Sequence, residues 1–542
     1  MDSASRASAW TRFKRTYRAL IAGVIVLSLA MSRLAAAAEE DRGKAEQPGA
    51  ERAAPGGRAA SAPRKAGEVV VEPASLALSE AEKIEYELGT LYVPENRAEP
   101  RSRVIGVGFA RFKAIPPAKG PPTFHLPGGP ANSFVMGLKG VARHILRYRV
   151  AGDVLLVDQR GFSERGDVLK YSYRSPEEPL DQPASLARST AAYVQLSRDA
   201  AAEFAKKGVD LRGYTVKECV EDVNDLRKAL GYEKISLVGT SFGSQWSFGV
   251  MRLHPEIVTR ALLSGVEPID FGYDMPSEVL GAMQRSWKEA EKDKALQPYL
   301  PPGGLEAAAK EVLKRFERGP VTVQVKDPKS GETASVTLGK EDFQRDFLHK
   351  ASDGPAFLLS LYYQHYDAWA ASVLAKRRSR PNELRLVGPL IDTSLGVTPG
   401  RERRLRNDPA TEFLGQWNWD SYIASAEVWP SPDVGDDFRT PVETSIPVVF
   451  AQGDWDTQTP VENTLEIKKS FPNGRVIIVE RGGHGVLEPV AQRFPRVWGE
   501  MMDFLRTGEM PNLPERVTMP LPRFVVPAFP APQFIPQRNL VK

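Results

Sequence analysis

The 542-residue sequence contains one cysteine, Cys219, and six histidines. A lone cysteine excludes an internal disulfide, so stability must come from packing. Cys219 lies in "TVKECVEDVNDLRKAL", where Val216, Cys219, Val220, Val223, Leu226 and Leu230 recur at helical spacing, which makes it a buried helix-face residue. Metal-ligand spacings, a phosphate loop and a dinucleotide fingerprint are also missing, and the glycines of "VIGVGF" lie inside a strand-like run instead of opening a helix. The sequence therefore implies no metal and no cofactor. Long hydrophobic runs are absent too. The N-terminal run Ala19 to Ala30 has 12 residues, short of the roughly 20 that span a bilayer, and Arg33 interrupts any extension.

Five basic residues from Arg6 to Arg18 precede that run, and the small-residue stretch Ala35 to Ala38 follows it, the pattern of a secretory signal peptide cleaved near Ala38. Export to a periplasm or the extracellular space is the expectation, without stable membrane insertion after cleavage. Without residues 1–38 the chain carries 66 basic and 67 acidic residues, a net charge of −1 in place of +4. That balance gives no footprint for nucleic acid. The overall content, 42% hydrophobic and 26% charged, is ordinary for a globular protein.

Residues 39–67, rich in Ala, Pro, Gly and charge, read as a disordered leader. Residues 68–270 then alternate strand-like runs with helical periodicity, including "KIEYELGTLYVP", "VIGVGFARF", "PTFHLPGG", "DVLLVDQRG", "KISLVG" and "RALLSGV". Such alternation predicts an α/β fold, a mostly parallel central sheet flanked by helices. Residues 271–440 break the pattern with long helical stretches around a hairpin, "VTVQVKDPKSGETASVTLG", and read as a large, mainly helical cap insertion. Sheet residues resume over 441–510, and a proline-rich strap occupies 511–542.

Within this frame "LVGTSFGSQ" places Ser241 between two glycines, after a strand and before a helix, as in the G-x-S-x-G nucleophile elbow. A serine hydroxyl attacks only when a base takes its proton and a third group orients the base. Of the six histidines, His484 alone lies on a glycine-flanked turn after a late strand, in "VIIVERGGHGV". His144, His349 and His365 fall in helix-like stretches and His254 follows the elbow helix, so surface or capping roles suit them better. "VVFAQGDWDTQTP" offers two strand-end acids, Asp454 and Asp456, either of which could cap the next helix. For the oxyanion hole, one backbone donor should be the N–H of Phe242 and the other should come from the Gly128-Gly129 loop of "FHLPGGPANS".

Taken in order, "LPGGPANS", "VDQRGFS", "LVGTSFGS", "GDWDTQTP" and "GGHG" resemble the proline iminopeptidase and tripeptidyl aminopeptidase family of α/β-hydrolases over roughly residues 85–505. The resemblance implies an α/β-hydrolase fold with Ser241 as nucleophile, Asp456 as orienting acid and His484 as base, and with Gly129 and Phe242 as oxyanion donors. It further implies that cap acids bind the free amino group of a short peptide, with Glu267 and Glu278 as candidates, although most glutamates are solvated surface charges. One departure is Ala131, where the family usually has glycine. Asp158 and Arg160 of "VDQRGFS" are expected to pair internally and hold a loop under the site in preference to touching substrate, and the stripe Phe357, Leu361, Tyr362, His365 and Trp369 to form cap core. Two other functions fit the same residues, a carboxylic ester hydrolase on the same triad and a hydrolase fold kept as a binding module.

Overall fold

The computed structural model describes residues 64–327, 330–510 and 512–532. The expected signal peptide and leader residues 39–63 lie outside the described residues. Fourteen strands are described: β1 (Val69–Ala77), β2 (Lys83–Pro94), β3 (Val104–Phe112), β4 (Thr123–Leu126), β5 (Val154–Val157), β6 (Lys170–Arg174), β7 (Ile235–Thr240), β8 (Val258–Ser264), β9 (Val321–Lys326), β10 (Thr333–Leu338), β11 (Pro381–Arg385), β12 (Val448–Gly453), β13 (Arg475–Glu480) and β14 (Arg516–Thr518). Ten of them form one sheet in the order β1-β2-β3-β5-β4-β7-β8-β12-β13-β14. Pairing is antiparallel from β1 to β5 and parallel from β5 to β14.

The parallel centre is buried on both faces, as its continuous apolar runs require. In β5 and β7, Leu155 and Leu237 pack on one side with the helices Val216–Ala229 and Phe242–Leu253. Their chain neighbours Leu156 and Val238 pack on the other with the helix Pro495–Thr507. Cys219 is fully buried within the first of these layers. This strand order, with one strand pair crossed over and helices on both faces, is the α/β-hydrolase fold.

A separate apolar cluster gathers much of the segment expected as the cap, on the helices Pro276–Ala290 and Gly304–Arg318 and the β9–β10 hairpin, while Leu390, Leu395 and Phe438 of the same segment pack into the sheet's own core. One of the long helical stretches expected in the insertion, "FLLSLYYQHYDAWAASVLAKRR" over 357–378, divides into Gly354–Tyr362 and Asp367–Arg377, with Gln364 at φ 64° in the break. Leu361 and Trp369 are nonetheless core residues there. Residues upstream of the elbow also reach the cap. β6 pairs antiparallel with β11, and Thr190, on the helix Leu186–Lys206, donates to Asp420 Oδ2 at 3.1 Å. The proline-rich segment adds β14 to the sheet, then buries Phe524 in the cap cluster and donates a hydrogen bond from Val525 N–H to Ser352 O at 2.9 Å. Among the described residues, no helix is long and apolar enough to cross a membrane.

Candidate active site

β7 ends at Thr240 and the next helix begins at Phe242, so the chain reverses at Ser241. Ser241 has φ 59° and ψ −134°, a conformation that costs a non-glycine residue roughly 1–3 kcal/mol. Its N–H is held by Ser264 O at 3.1 Å and Gly265 O at 2.9 Å, which offsets part of that strain. The flanking glycines are needed for close approach of backbones. A Cβ on Gly239 would lie 2.2 Å from Gly243 O, and one on Gly243 would lie 2.0 Å from Leu126 O. The spacing G-x-S-x-G is thus imposed by strand–helix contact, and the serine hydroxyl is left above the sheet.

His484 follows β13 on the turn expected for it. Its Nδ1 lies 2.9 Å from Asp456 Oδ2 and 3.2 Å from Oδ1. Asp456 is fully buried and accepts from Gln452 Nε2 at 3.0 Å, Gln458 N–H at 2.9 Å, Thr459 N–H at 3.1 Å and Thr459 Oγ1 at 2.8 Å. Burial pushes this carboxyl up, but the hydrogen bond and charge of His484, with Thr459 and the Gln458 N–H, outweigh it and hold the group below its usual range. An ionised acid beside Nδ1 fixes the tautomer that leaves Nε2 free to accept a proton. Asp454 takes a different role, accepting from Arg481 N–H at 2.6 Å.

Gly265, after β8, brings the serine and histidine together. A Cβ there would stand 3.2 Å from the Ser241 nitrogen and 2.9 Å from His484 Cε1. Among the described residues no hydrogen bond joins Ser241 Oγ to His484. The glycine-rich loop faces the same point, since a Cβ on Gly128 would lie 3.1 Å from Ser241 Cβ. Phe242 is the first residue of its helix, so its N–H has no intrahelical acceptor. The N–H of Gly129 makes no hydrogen bond among the described residues. That of Ala131 is already engaged, donating to Gln159 Oε1 at 2.7 Å, while Gln159 Nε2 donates to Gly128 O at 3.3 Å. The methyl of Ala131 is buried in the core, where the chain turns at φ 62°.

Asp158 and Arg160 do not pair with each other. Arg160, fully buried, donates from Nε and Nη2 to both oxygens of Asp222 at 2.8 and 2.6 Å. Asp158 accepts from Ser133 Oγ at 2.6 Å and Ser163 Oγ at 3.1 Å, with burial pushing it up to about 6. The two are separated by Gln159 and are held by different partners, Asp158 by two serine hydroxyls and Arg160 by the carboxylate of Asp222.

Glu267 and Glu278 lie near two acids that sequence reasoning missed, Asp274 and Asp392. Burial raises Glu267 and Asp274 well above their ordinary range and pushes Asp392 up to about 7 and Glu278 up to about 6. The charges that act on Glu267 are all acidic: Asp274, Asp392 and Asp456. Asp274 accepts from Asn463 Nδ2 at 2.8 Å, whereas Glu278 Oε2 is buried without a partner. Arg401, stacked 3.6 Å over Phe271, is a cation acting on Asp274 and Glu278.

A cavity of about 370 Å³ opens beside His484, walled by Trp287, Trp455, Pro355 and, from the C-terminal segment, Pro520 and Pro522. His349 lines it too, from the loop that follows Phe347, and not as the surface or capping residue its sequence context suggested. Gln159, Gln452 and Thr459 are further supports that sequence reasoning missed. "VDQRG" and "AQGDWDTQT" carry them, yet amides and hydroxyls inside a motif give no signal of direction.

A family model described as TAP-like protein matches residues 409–517, a segment that contains Asp456 and His484. A comparison with curated proteins gave no match. Among solved structures, an esterase from Exiguobacterium antarcticum is similar at 12% identity and TM-score 0.32, over 76% of this chain and 98% of that one. A thermophilic esterase from Thermogutta terrifontis, with malate bound, gives 14% and 0.32 over 77% and 99%. A bromoperoxidase from Bacillus anthracis gives the same identity, score and coverage. At such scores these likenesses add nothing to the reading of the site, which rests on its own geometry. Sheet order, the serine turn at the end of β7 and the TAP-like match together identify a hydrolase of the α/β-hydrolase type.

Proposed function

We propose that the chain is an exported serine peptidase that removes residues from the N-termini of short peptides through an acyl-enzyme. In this reading Ser241 Oγ attacks the scissile carbonyl as His484 takes its proton, and the N–H groups of Gly129 and Phe242 hold the oxyanion. His484 then gives the proton to the departing amine, and water releases the acyl group by the same steps. Asp456 orients the imidazole and stabilises its charged form.

The observation that carries the peptidase reading is the acid cluster. Burial holds Glu267, Asp274, Glu278 and Asp392 at raised pKa, and the one cation beside them, Arg401, offsets this only in part, at Asp274 and Glu278. A ligand that brings a cation removes that penalty, and the free α-ammonium of a peptide is a cation at a fixed distance from its first carbonyls. A neutral ester gains nothing from the same cluster.

The test is hydrolysis of matched short peptides with free or acetylated N-termini, beside a short-chain ester, with Ser241→Ala as blank. Cleavage confined to free N-termini supports the proposal. Ester turnover with both peptides untouched would replace it with an acyl ester hydrolase, and activity equal to the blank on every substrate would leave a binding module.

A further inference from the structure

The cavity beside His484 differs in charge from the acid cluster. None of its described lining residues is Asp or Glu, while Lys350, Arg481 and His349 all line it. Lys350 is exposed, and its ammonium has no ion pair or hydrogen bond among the described residues. Arg481 is only partly engaged, with Nη2 3.1 Å from Glu289 Oε2 and Nη1 3.4 Å from Met519 O. The imidazole of His349 packs 4.0 Å from the Phe357 ring, and its Nε2 is buried with no partner. Gly354 and Pro355, also in the lining, begin the helix Gly354–Tyr362, whose N-terminal dipole adds positive potential.

The position fixes which half of the substrate this cavity meets. It touches His484 and Gly483 but neither Ser241 nor Phe242. In serine hydrolysis the histidine delivers its proton to the leaving group, so the leaving group lies on the histidine's side. Its volume of about 370 Å³ is near the lower end of small-ligand sites.

Resting on the peptidase reading above, we propose that this basic cavity binds the terminal carboxylate of the departing peptide. Lys350, Arg481 and His349 are then specificity-determining residues for the leaving group. With acids at the amino end and cations at the carboxyl end, the site selects peptides short enough for both free termini to be held at once.

The experiment compares kcat/KM for free-amine tri- and tetrapeptides with C-terminal carboxylate or carboxamide, in the parent and in Lys350→Met and Arg481→Met. The parent should prefer the carboxylate by roughly tenfold or more, the scale of one charge-assisted hydrogen bond. Each substitution should narrow that ratio, mainly through KM of the carboxylate form. A parent ratio near one, or variants that slow both forms alike, would overturn the proposal.

A second pair separates this outcome from failure of the peptidase reading: 4-acetoxybenzoate and its methyl ester, whose leaving groups differ in the carboxylate. Retained preference for the acid, lost in Lys350→Met, would support the carboxylate site even with no peptide cleaved. Equal turnover of the two esters by a chain that cleaves no peptide would refute both.

Discussion

Gly265→Ala tests the geometry of the site more sharply than removal of any reacting group. The new methyl would stand 2.9 Å from His484 Cε1, 3.3 Å from Nδ1 and 3.2 Å from the Ser241 nitrogen. Carbon atoms in contact settle at roughly 3.5–4.0 Å, so the imidazole must retreat by roughly 0.5–1 Å. A φ of +54° adds a cost of about 1–2 kcal/mol for a residue bearing a Cβ. Displacement of a reacting group by about 1 Å can cost on the order of 10²-fold in rate. The expected result is therefore kcat lower by about 10², with a melting temperature lower by roughly 1–3 °C. Steady-state kinetics on a short-chain ester, alongside melts followed by circular dichroism, measure both. Parental kcat in a variant that melts lower would show that strain was introduced without disturbing the chemistry, and that His484 does not act where the structure puts it.

Ser241→Ala should lower turnover by about 10⁶, and adding His484→Ala should cost little more, because the two act as a unit; additive losses in the double variant would argue against a shared proton transfer. Glu267→Gln should raise KM for free-amine peptides by roughly 10–100-fold and leave ester KM near parental, since it removes a charge-assisted contact that esters lack; equal effects on both substrates would make Glu267 structural. Asp392 makes an unusual pH signature. Its carboxyl is raised on folding from 3.8 to about 7 by burial, so the native state binds its proton more tightly and its stabilising contribution is full below the unfolded value and lost as pH rises through about 7. Asp392→Asn should accordingly melt higher than the parent at pH 8 and close to it at pH 4, and a difference that does not grow with pH would show that Asp392 is not a buried acid.

The parallel sheet was legible because its strands, such as "VLLV" and "ISLVGT", are short continuous apolar runs bounded by turn residues. The serine turn and the late histidine were legible for another reason, since glycines appear where backbones touch. Less of the surrounding network could be read. Gln159 and Gln452 clamp the glycine-rich loop and the acid, yet nothing in an amide's neighbours along the chain tells which way it points. The break at Gln364 was hidden because the apolar spacing on either side continues as if the helix did. Asp392 could not be recognised because it is far from Glu267 along the chain and meets it only through tertiary folding, and Asp274, although close in sequence, carries no signal of the direction of its side chain.

The C-terminal segment has a mechanical consequence. It is anchored in the sheet at β14, forms part of the cavity wall with Pro520 and Pro522, and is held to the cap by Phe524 and by Tyr299, whose hydroxyl donates to Phe529 O at 2.8 Å. The ring of Phe529 also stacks 3.9 Å from His365, at the break between the two cap helices. A cap joined to the sheet only where its chain enters and leaves could swing as a door. The β6–β11 pairing and, across the opening, the C-terminal segment add further tethers that turn it into a braced lid, so the aperture is set by the fold and not by the occupant. Access then depends on the width of what arrives, and loosening the brace should speed the entry of bulky chains more than of small ones.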